Sequence, residues 1–245
     1  VFEKNQRAAQ IDLNNNGTET TTYRITLVNR RMSESGEFSL IDSPRPGEQF
    51  ADDLIRYSPR QVVLLPGASQ TVRISLRKPA DLPAGEYRSH LQFDRVPDSG
   101  GASSIAGAAL AAGEVGVQLK LLVGASIPII VRHGETAASV TLSGLELLQP
   151  VGNRVALASV VLQRSGNRSV YGDLGASFTP REGTAQEVGK AAGLAVYSPN
   201  PLRRVRLELK PPAGQSLARG TLHLSFRERP EAGGKLIAEA AIELP

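Results

Sequence analysis

The chain of 245 residues has no cysteine and no tryptophan. The lack of cysteine excludes disulfide bonds, thiol catalysis and cysteine-ligated metals, and it leaves the redox compartment undecided. No apolar run approaches the roughly 20 residues of a membrane-spanning helix, so membrane insertion is not expected. The opening stretch VFEKNQ lacks a charged and then apolar leader, which fits a processed chain and a truncated chain equally.

Charge of either sign is not concentrated anywhere in the sequence. Lys and Arg total 28 against 24 Asp and Glu, and the basic residues are interleaved with acidic ones. A nucleic-acid binder usually carries a basic stripe, because neutralised phosphates supply most of its affinity. The sequence therefore predicts no nucleic-acid partner.

The sequence also lacks the motifs that are typical of metal-binding and catalytic sites. The three histidines His90, His133 and His223 lie in separate segments, without the spacing of a metal site. There is no G-x-S-x-G motif and no phosphate-binding loop. We therefore expect no catalytic residue, metal or cofactor, and a non-enzymatic protein. His90 alternates with Arg88 and Gln92, and this parity predicts an exposed structural histidine.

What the sequence does contain is strand-like alternation along most of its length. Seven apolar segments follow residue 137 at short intervals, separated by Gly and Pro turns, which is typical of a β-sandwich. Two apolar runs within 60–79 meet at Pro66-Gly67 and predict a hairpin. Residues 99–113 are mostly Gly, Ala and Ser and predict a mobile loop. The pattern predicts an all-β chain of two domains, 1–132 and 137–245.

One alternation is too long for an ordinary strand. Odd positions from 115 to 131 are all apolar, namely Val115, Val117, Leu119, Leu121, Val123, Ala125, Ile127, Ile129 and Val131. An extended chain of that length would reach roughly 55 Å, whereas strands usually run about 5–6 residues. One interpretation is two internal strands that divide at Gly124. The other is an edge strand whose N-terminal half is buried by another molecule.

A family resemblance is carried by RYSPRQVVLLPGASQTVRISLRKPADLPAGEYRSHLQF and the Val96-Pro97 pair that follows it. This stretch resembles the PapD-like periplasmic chaperones of the chaperone–usher pathway. The shared features are an aromatic-x-Pro opening, a Pro-Gly turn, a Gln-x-Val-Arg-Ile strand and a Glu-containing strand. VFEKNQRAAQIDLNNN and SGNRSVYGDL also resemble family segments, while YRITLVNRRM and GEYRSHL look more like the archaic or alternate variants.

The resemblance implies two immunoglobulin-like β-sandwich domains in a boomerang arrangement, located in the periplasm and without enzymatic activity. Its implied partners are pilus subunits that lack their last strand, and an outer-membrane usher. The chaperone lends a strand to complete the subunit, which is β-augmentation. We expect the lending positions to be Val115, Val117, Leu119, Leu121 and Val123. The sequence leaves open whether the free protein self-associates through this edge.

The family also clamps the C-terminal carboxylate of the subunit with two basic residues. The match implies that the first, an Arg, precedes Val1, and that Pro128 replaces the second, a Lys. Pro supplies neither a charge nor an N–H group. Arg88 and Lys120 are therefore the anchor candidates. Arg132 resembles a family residue that fixes the domain angle by pairing with acidic groups, here Glu86 and Asp173.

A second function class remains open at this point. A two-domain β-sandwich also fits an adhesion or carbohydrate-binding module. Such sites generally present exposed aromatic rings for stacking, and this chain has six Phe and five Tyr. Several of these aromatic residues lie at strand positions that are predicted to face the core, which leaves few of them for a binding surface.

Overall fold

The computed structural model of the chain describes residues 1–3, 5–41, 43–97, 124–149, 155–212 and 216–245. Within these ranges the secondary structure is almost entirely antiparallel β, with two short 3-10 helices at Asp52–Leu54 and Pro230–Ala232. None of the helices in these ranges has the length and apolarity to cross a bilayer. The all-β fold class predicted from the alternation is confirmed.

Nine strands precede Gly134 and seven follow it in the described ranges. The first nine are β1 (Ala8–Asn14), β2 (Thr21–Val28), β3 (Arg30–Met32), β4 (Phe38–Leu40), β5 (Ile55–Ser58), β6 (Gln61–Leu64), β7 (Ser69–Leu76), β8 (Gly85–Val96) and β9 (Ala125–His133). The others are β10 (Ala138–Leu148), β11 (Ala156–Gly166), β12 (Val170–Pro180), β13 (Gln186–Val196), β14 (Leu202–Leu209), β15 (Gly220–Arg227) and β16 (Leu236–Leu244). The seven strands predicted in the second half are confirmed.

The chain separates into two compact units. The first unit contains Val1–Asn29, Gln49–Pro83 and Tyr87–His133, and the second contains Arg30–Glu48, Ala84–Glu86 and Gly134–Pro245. Two short segments from the first half of the sequence are thus grouped with the second unit. The domain limits 1–132 and 137–245 stay a prediction.

The first unit has a three-stranded sheet in the order β1-β7-β5 and a four-stranded sheet in the order β6-β2-β8-β9. One parity of each strand faces inward, because side chains alternate across a strand. The inward residues form one core, which includes Phe2, Ile25, Leu64, Val72, Ile74, Leu91, Phe93 and Val131. Each large side chain in such a core stabilises the fold by about 1.5–3 kcal/mol.

The hairpin predicted at Pro66-Gly67 is wrong. β6 pairs with β2 in one sheet, whereas β7 pairs with β1 and β5 in the other. The turn between them therefore carries the chain from one sheet to the other. Gly67 has φ +73°, a conformation that suits glycine, and its N–H donates to the carbonyl of Asn15.

The second unit also packs two sheets, in the orders β10-β11-β14 and β13-β12-β15-β16. Its core contains Leu162, Leu174, Phe178, Leu222, Leu224 and Phe226. The hairpin of β3 and β4 belongs to this unit and is tied to it by polar contacts. Asn200 Nδ2 donates to the carbonyl of Met32 at 2.7 Å, and Arg204 Nε pairs with Glu34 Oε2 at 3.1 Å.

Candidate functional site

The candidate site is the edge formed by β9 in the first unit. Among the described strands, β9 is the last in its sheet and lies beside β8. The lending positions Val115, Val117, Leu119, Leu121 and Val123, together with the anchor candidate Lys120, lie outside the described residues, as does the loop predicted at 99–113. Their roles stay predictions. The described site begins at Gly124, where the chain enters β9.

Burial changes along β9. Its first four residues, Ala125 to Pro128, are exposed, whereas Ile129, Ile130 and Val131 are buried. Ile127 is 37% exposed, although it has the same parity as Ile129, which is 7% exposed. The odd-numbered apolar residues of β9 are thus buried in the core of their own unit at the C-terminal end of the strand and exposed at its N-terminal end. This agrees with the sequence interpretation that the C-terminal half of 114–131 serves the chain's own core.

The outer side of β9 is partly paired with the N-terminal segment. Phe2 forms a parallel bridge with Val131, in which Phe2 N donates to Ile130 O at 2.7 Å and Arg132 N donates to Phe2 O at 3.0 Å. Backbone groups point to alternate sides of a strand, so Ser126 and Pro128 face the same outer side as Ile130. Proline is tolerated at an edge position whose missing N–H would point outward. Pro128 therefore removes an outward donor without weakening the sheet.

Arg132 follows the buried end of β9 and is held by charged and polar groups of the first unit. Its Nη1 lies 2.5 Å from Glu3 Oε1, and its carbonyl accepts a hydrogen bond from Lys78 Nζ at 2.8 Å. Burial, and to a lesser extent the positive charge of Arg7, lowers the pKa of Lys78. Both the guanidinium and the carbonyl of Arg132 are thus bound by groups of the first unit.

The two acidic residues expected to pair with Arg132 have contacts in the second unit. Glu86 is buried and accepts a hydrogen bond from Ser169 N at 3.0 Å and a short one from Ser169 Oγ. Asp173 Oδ1 accepts a hydrogen bond from Gly193 N at 2.9 Å. The pairing of Arg132 with either carboxylate stays a prediction.

Arg88 lies on β8, the strand next to β9. Its backbone N–H donates to Gln49 O at 3.0 Å, and the residue is 7% exposed. A solvated surface arginine, the ordinary alternative to an anchoring role, does not fit that burial. Its role as an anchor for a carboxylate stays a prediction.

His90 was expected to be exposed and that expectation is wrong, since the side chain is buried. The reason is that both faces of β8 are covered in this part of the strand. The first seven residues of β8 are buried at both parities. Parity distinguishes the two faces of a strand, but it does not tell whether the polar face is covered.

A buried network of hydrogen bonds next to β8 was not predicted, although the sequence contains a signal for it. Ser89 Oγ donates to Asn29 Oδ1 at 2.6 Å and accepts from Ala51 N at 2.9 Å, and Asn29 Nδ2 donates to Asp52 Oδ2 at 2.9 Å. Ser89 occupies the core parity between Tyr87 and Leu91. A small polar residue at such a position indicates a buried hydrogen-bond partner. The described ranges contain no group of acidic and histidine side chains arranged to hold a metal ion.

Comparison with protein-family models and with curated proteins gives no match. Among solved structures, the class 5 fimbriae chaperone CfaA is 16% identical, with a TM-score of 0.45, over 100% of this chain and 95% of that one. The Escherichia coli chaperone DraB is 14% identical, with a TM-score of 0.43, over 100% and 92%. The Pseudomonas aeruginosa CupB2 chaperone is 11% identical, with a TM-score of 0.42, over 98% and 92%. All three of these proteins are chaperones.

Proposed function

We propose that this protein is a periplasmic chaperone that binds fimbrial subunits by donor-strand complementation and delivers them to an outer-membrane usher. The observation that carries the proposal is the change of burial along β9. Ile129 and Val131 fill the core of their own unit, while Ile127, on the same parity, is exposed at the sheet edge. In the sequence, the same apolar parity continues upstream through residues 115–123.

An apolar edge strand of this kind is a template for pairing with another chain, and soluble proteins usually blunt such edges. A subunit that lacks its last strand has the complementary defect, an open groove between its two sheets. Strand addition supplies backbone hydrogen bonds, and alternating side chains fill the groove. Four or five Val and Leu side chains at about 1.5–3 kcal/mol each give a gross gain on the order of 10 kcal/mol before ordering costs.

The proposed activity is binding and needs no catalytic group. It assigns Arg88 and Lys120 as candidates to hold the subunit carboxylate, because Pro128 brings no charge to the strand. The burial of Arg88 on β8, the strand next to β9, supports this role, because a guanidinium and a carboxylate interact more strongly in a buried site than in water. Arg132, Glu86 and Asp173 are proposed to couple the two domains.

Co-expression tests the proposal. The chain, exported to the bacterial periplasm, is produced together with a fimbrial subunit encoded beside it, and the affinity-purified material is analysed by size-exclusion chromatography and native mass spectrometry. We expect a complex of one chaperone and one subunit that protects the subunit from proteolysis. A protein that leaves the subunit aggregated but binds immobilised glycans would instead be an adhesion or carbohydrate-binding module.

A further inference from the structure

The outward face of the β1-β7-β5 sheet carries a basic groove that the donor-strand function does not use. The groove encloses about 550 Å³ and is lined by Ala8, Ala9, Gln10, Arg56, Tyr57, Ser58, Arg73, Ile74 and Ser75. Its lining, drawn from the described residues, contains two arginines and no carboxylate.

The strand register arranges the outward side chains of the groove in two rows. Ser75 on β7 lies between Ala8 on β1 and Arg56 on β5, and Arg73 lies between Gln10 and Ser58. The two arginines are therefore diagonal neighbours on adjacent strands, with Cα atoms roughly 7–8 Å apart. The small side chains of Ala8, Ser58 and Ser75 leave the space between them open.

Both guanidinium groups have donors available for a ligand. Arg56 Nη1 donates to the carbonyls of Ile55 at 2.8 Å and Asp53 at 3.2 Å, which holds the side chain in place without neutralising it. The side chain of Arg73 is exposed, and its guanidinium makes no hydrogen bond or ion pair within the described residues. The carboxylate of Asp12 accepts a hydrogen bond from Thr71 Oγ1 at 2.6 Å, and Asp53 belongs to the 3-10 helix before β5.

We propose that this groove docks an extended acidic segment of a partner protein, with two carboxylates on alternate residues. Side chains at positions i and i+2 of an extended chain lie about 6.6–6.8 Å apart on one face. That spacing matches the diagonal of the two arginines, and each guanidinium can donate two hydrogen bonds to one carboxylate in a bidentate pair. The surface is separate from β9, so the partner binds independently of the subunit.

Fluorescence anisotropy with a labelled decapeptide of alternating Gly and Asp tests the proposal. We expect Arg56→Gln and Arg73→Gln each to weaken binding by about tenfold, as expected for loss of a charge-assisted pair. Arg206→Gln, an exposed arginine on β14 of the second unit, is the matched control and should change binding less than about twofold. A peptide of the same length with Asn in place of Asp should not bind.

A second variant covers the case in which loss of an arginine disturbs folding. Ser75→Glu places a carboxylate directly opposite Arg56 on an exposed position, so it should abolish peptide binding without lowering the melting temperature. Equal weakening by Arg206→Gln, or equal binding of the Asn peptide, would overturn the proposal. It would also be overturned if phosphatidylglycerol vesicles, and not the peptide, bound in a manner that depends on Arg56 and Arg73. Retained subunit capture by these variants separates this result from a failure of the donor-strand function.

Discussion

Phe2 and Val131 lie side by side as a parallel bridge at the edge of the first unit, and both side chains are buried in its core. The bridge occupies the outer side of β9 next to Ile130 and Arg132. The N-terminal segment therefore closes the end of the strand that serves the core. Ile127, in the exposed half of β9, lies upstream of this bridge.

Phe2→Ala tests the closing role of the N-terminal segment. Phe2 is 2% exposed, so truncation should remove about 3–5 kcal/mol from the free energy of unfolding, because a large apolar side chain is replaced by a cavity. Urea unfolding followed by circular dichroism measures the change. Val1→Ala is the control, since Val1 is 61% exposed and should cost less than about 0.5 kcal/mol. Equal stabilities of the two variants would mean that the segment detaches in solution.

Ser89→Ala tests the hydrogen-bond network behind β8. The change leaves the N–H of Ala51 and the side-chain oxygen of Asn29 without their partner in a buried region, at a cost of about 1–3 kcal/mol. Chemical denaturation gives the difference, with Ser39→Ala on the exposed strand β4 as the control. A loss no larger than that of the control would show that water replaces the hydroxyl group at this position.

The features that the sequence predicted are those with a local signal. The seven strands of the second half repeat a period of two between Gly and Pro turns, and each predicted segment overlaps one of the observed strands. The change from exposed to buried residues along β9 was also predictable from the sequence, because the apolar alternation is longer than a single strand needs. These are properties of neighbouring residues along the chain.

The features that were missed depend on contacts between distant segments. β7 pairs with β1 rather than with the adjacent β6, and nothing within residues 61–76 distinguishes those outcomes. His90 is buried because both faces of β8 are covered along its first seven residues, which the parity of β8 alone does not report. The bridge of Phe2 to Val131 involves a single residue and therefore has no periodicity to detect.

Stability should depend on acidic pH through Glu48 in the second unit. Its carboxylate forms two contacts with Arg31, at 2.5 Å and 2.7 Å, and accepts from Arg45 N at 2.8 Å. The hydrogen bonds from the Arg31 guanidinium lower the pKa of Glu48, with burial opposing and the amide of Arg45 adding to the shift. The stabilisation is therefore complete above the unfolded pKa of about 4.3 and is lost as the pH falls through the lower folded pKa.

Glu48→Gln isolates this contribution. The variant should be less stable than the natural chain at pH 7, and the difference should shrink as the pH falls from about 5 to 3, because only the natural chain takes up a proton there. Urea unfolding at pH 7, 5, 4 and 3 provides the comparison. Glu34→Gln, which alters an exposed ion pair with Arg204, should give a small difference at every pH. A Glu48→Gln difference that stays constant down to pH 3 would contradict the assignment.

Leu119→Asp and Leu121→Asp test the lending strand, and with it the proposed function. If these side chains enter the groove of a subunit, a carboxylate there is buried without a partner, at a cost of several kcal/mol, and capture is abolished. In the free protein the same positions would be a solvated edge, where Asp costs little. Gln118→Asp is the control of opposite parity and should capture subunit nearly as well as the natural chain.

The melting temperature of each free variant and its yield of subunit complex on co-expression decide among three outcomes. Variants that melt far below the natural chain would place the leucines in its own core, as two internal strands divided at Gly124 require. Folded variants that still hold subunit would exclude this edge as the binding element, and only folded variants without subunit agree with donor-strand complementation.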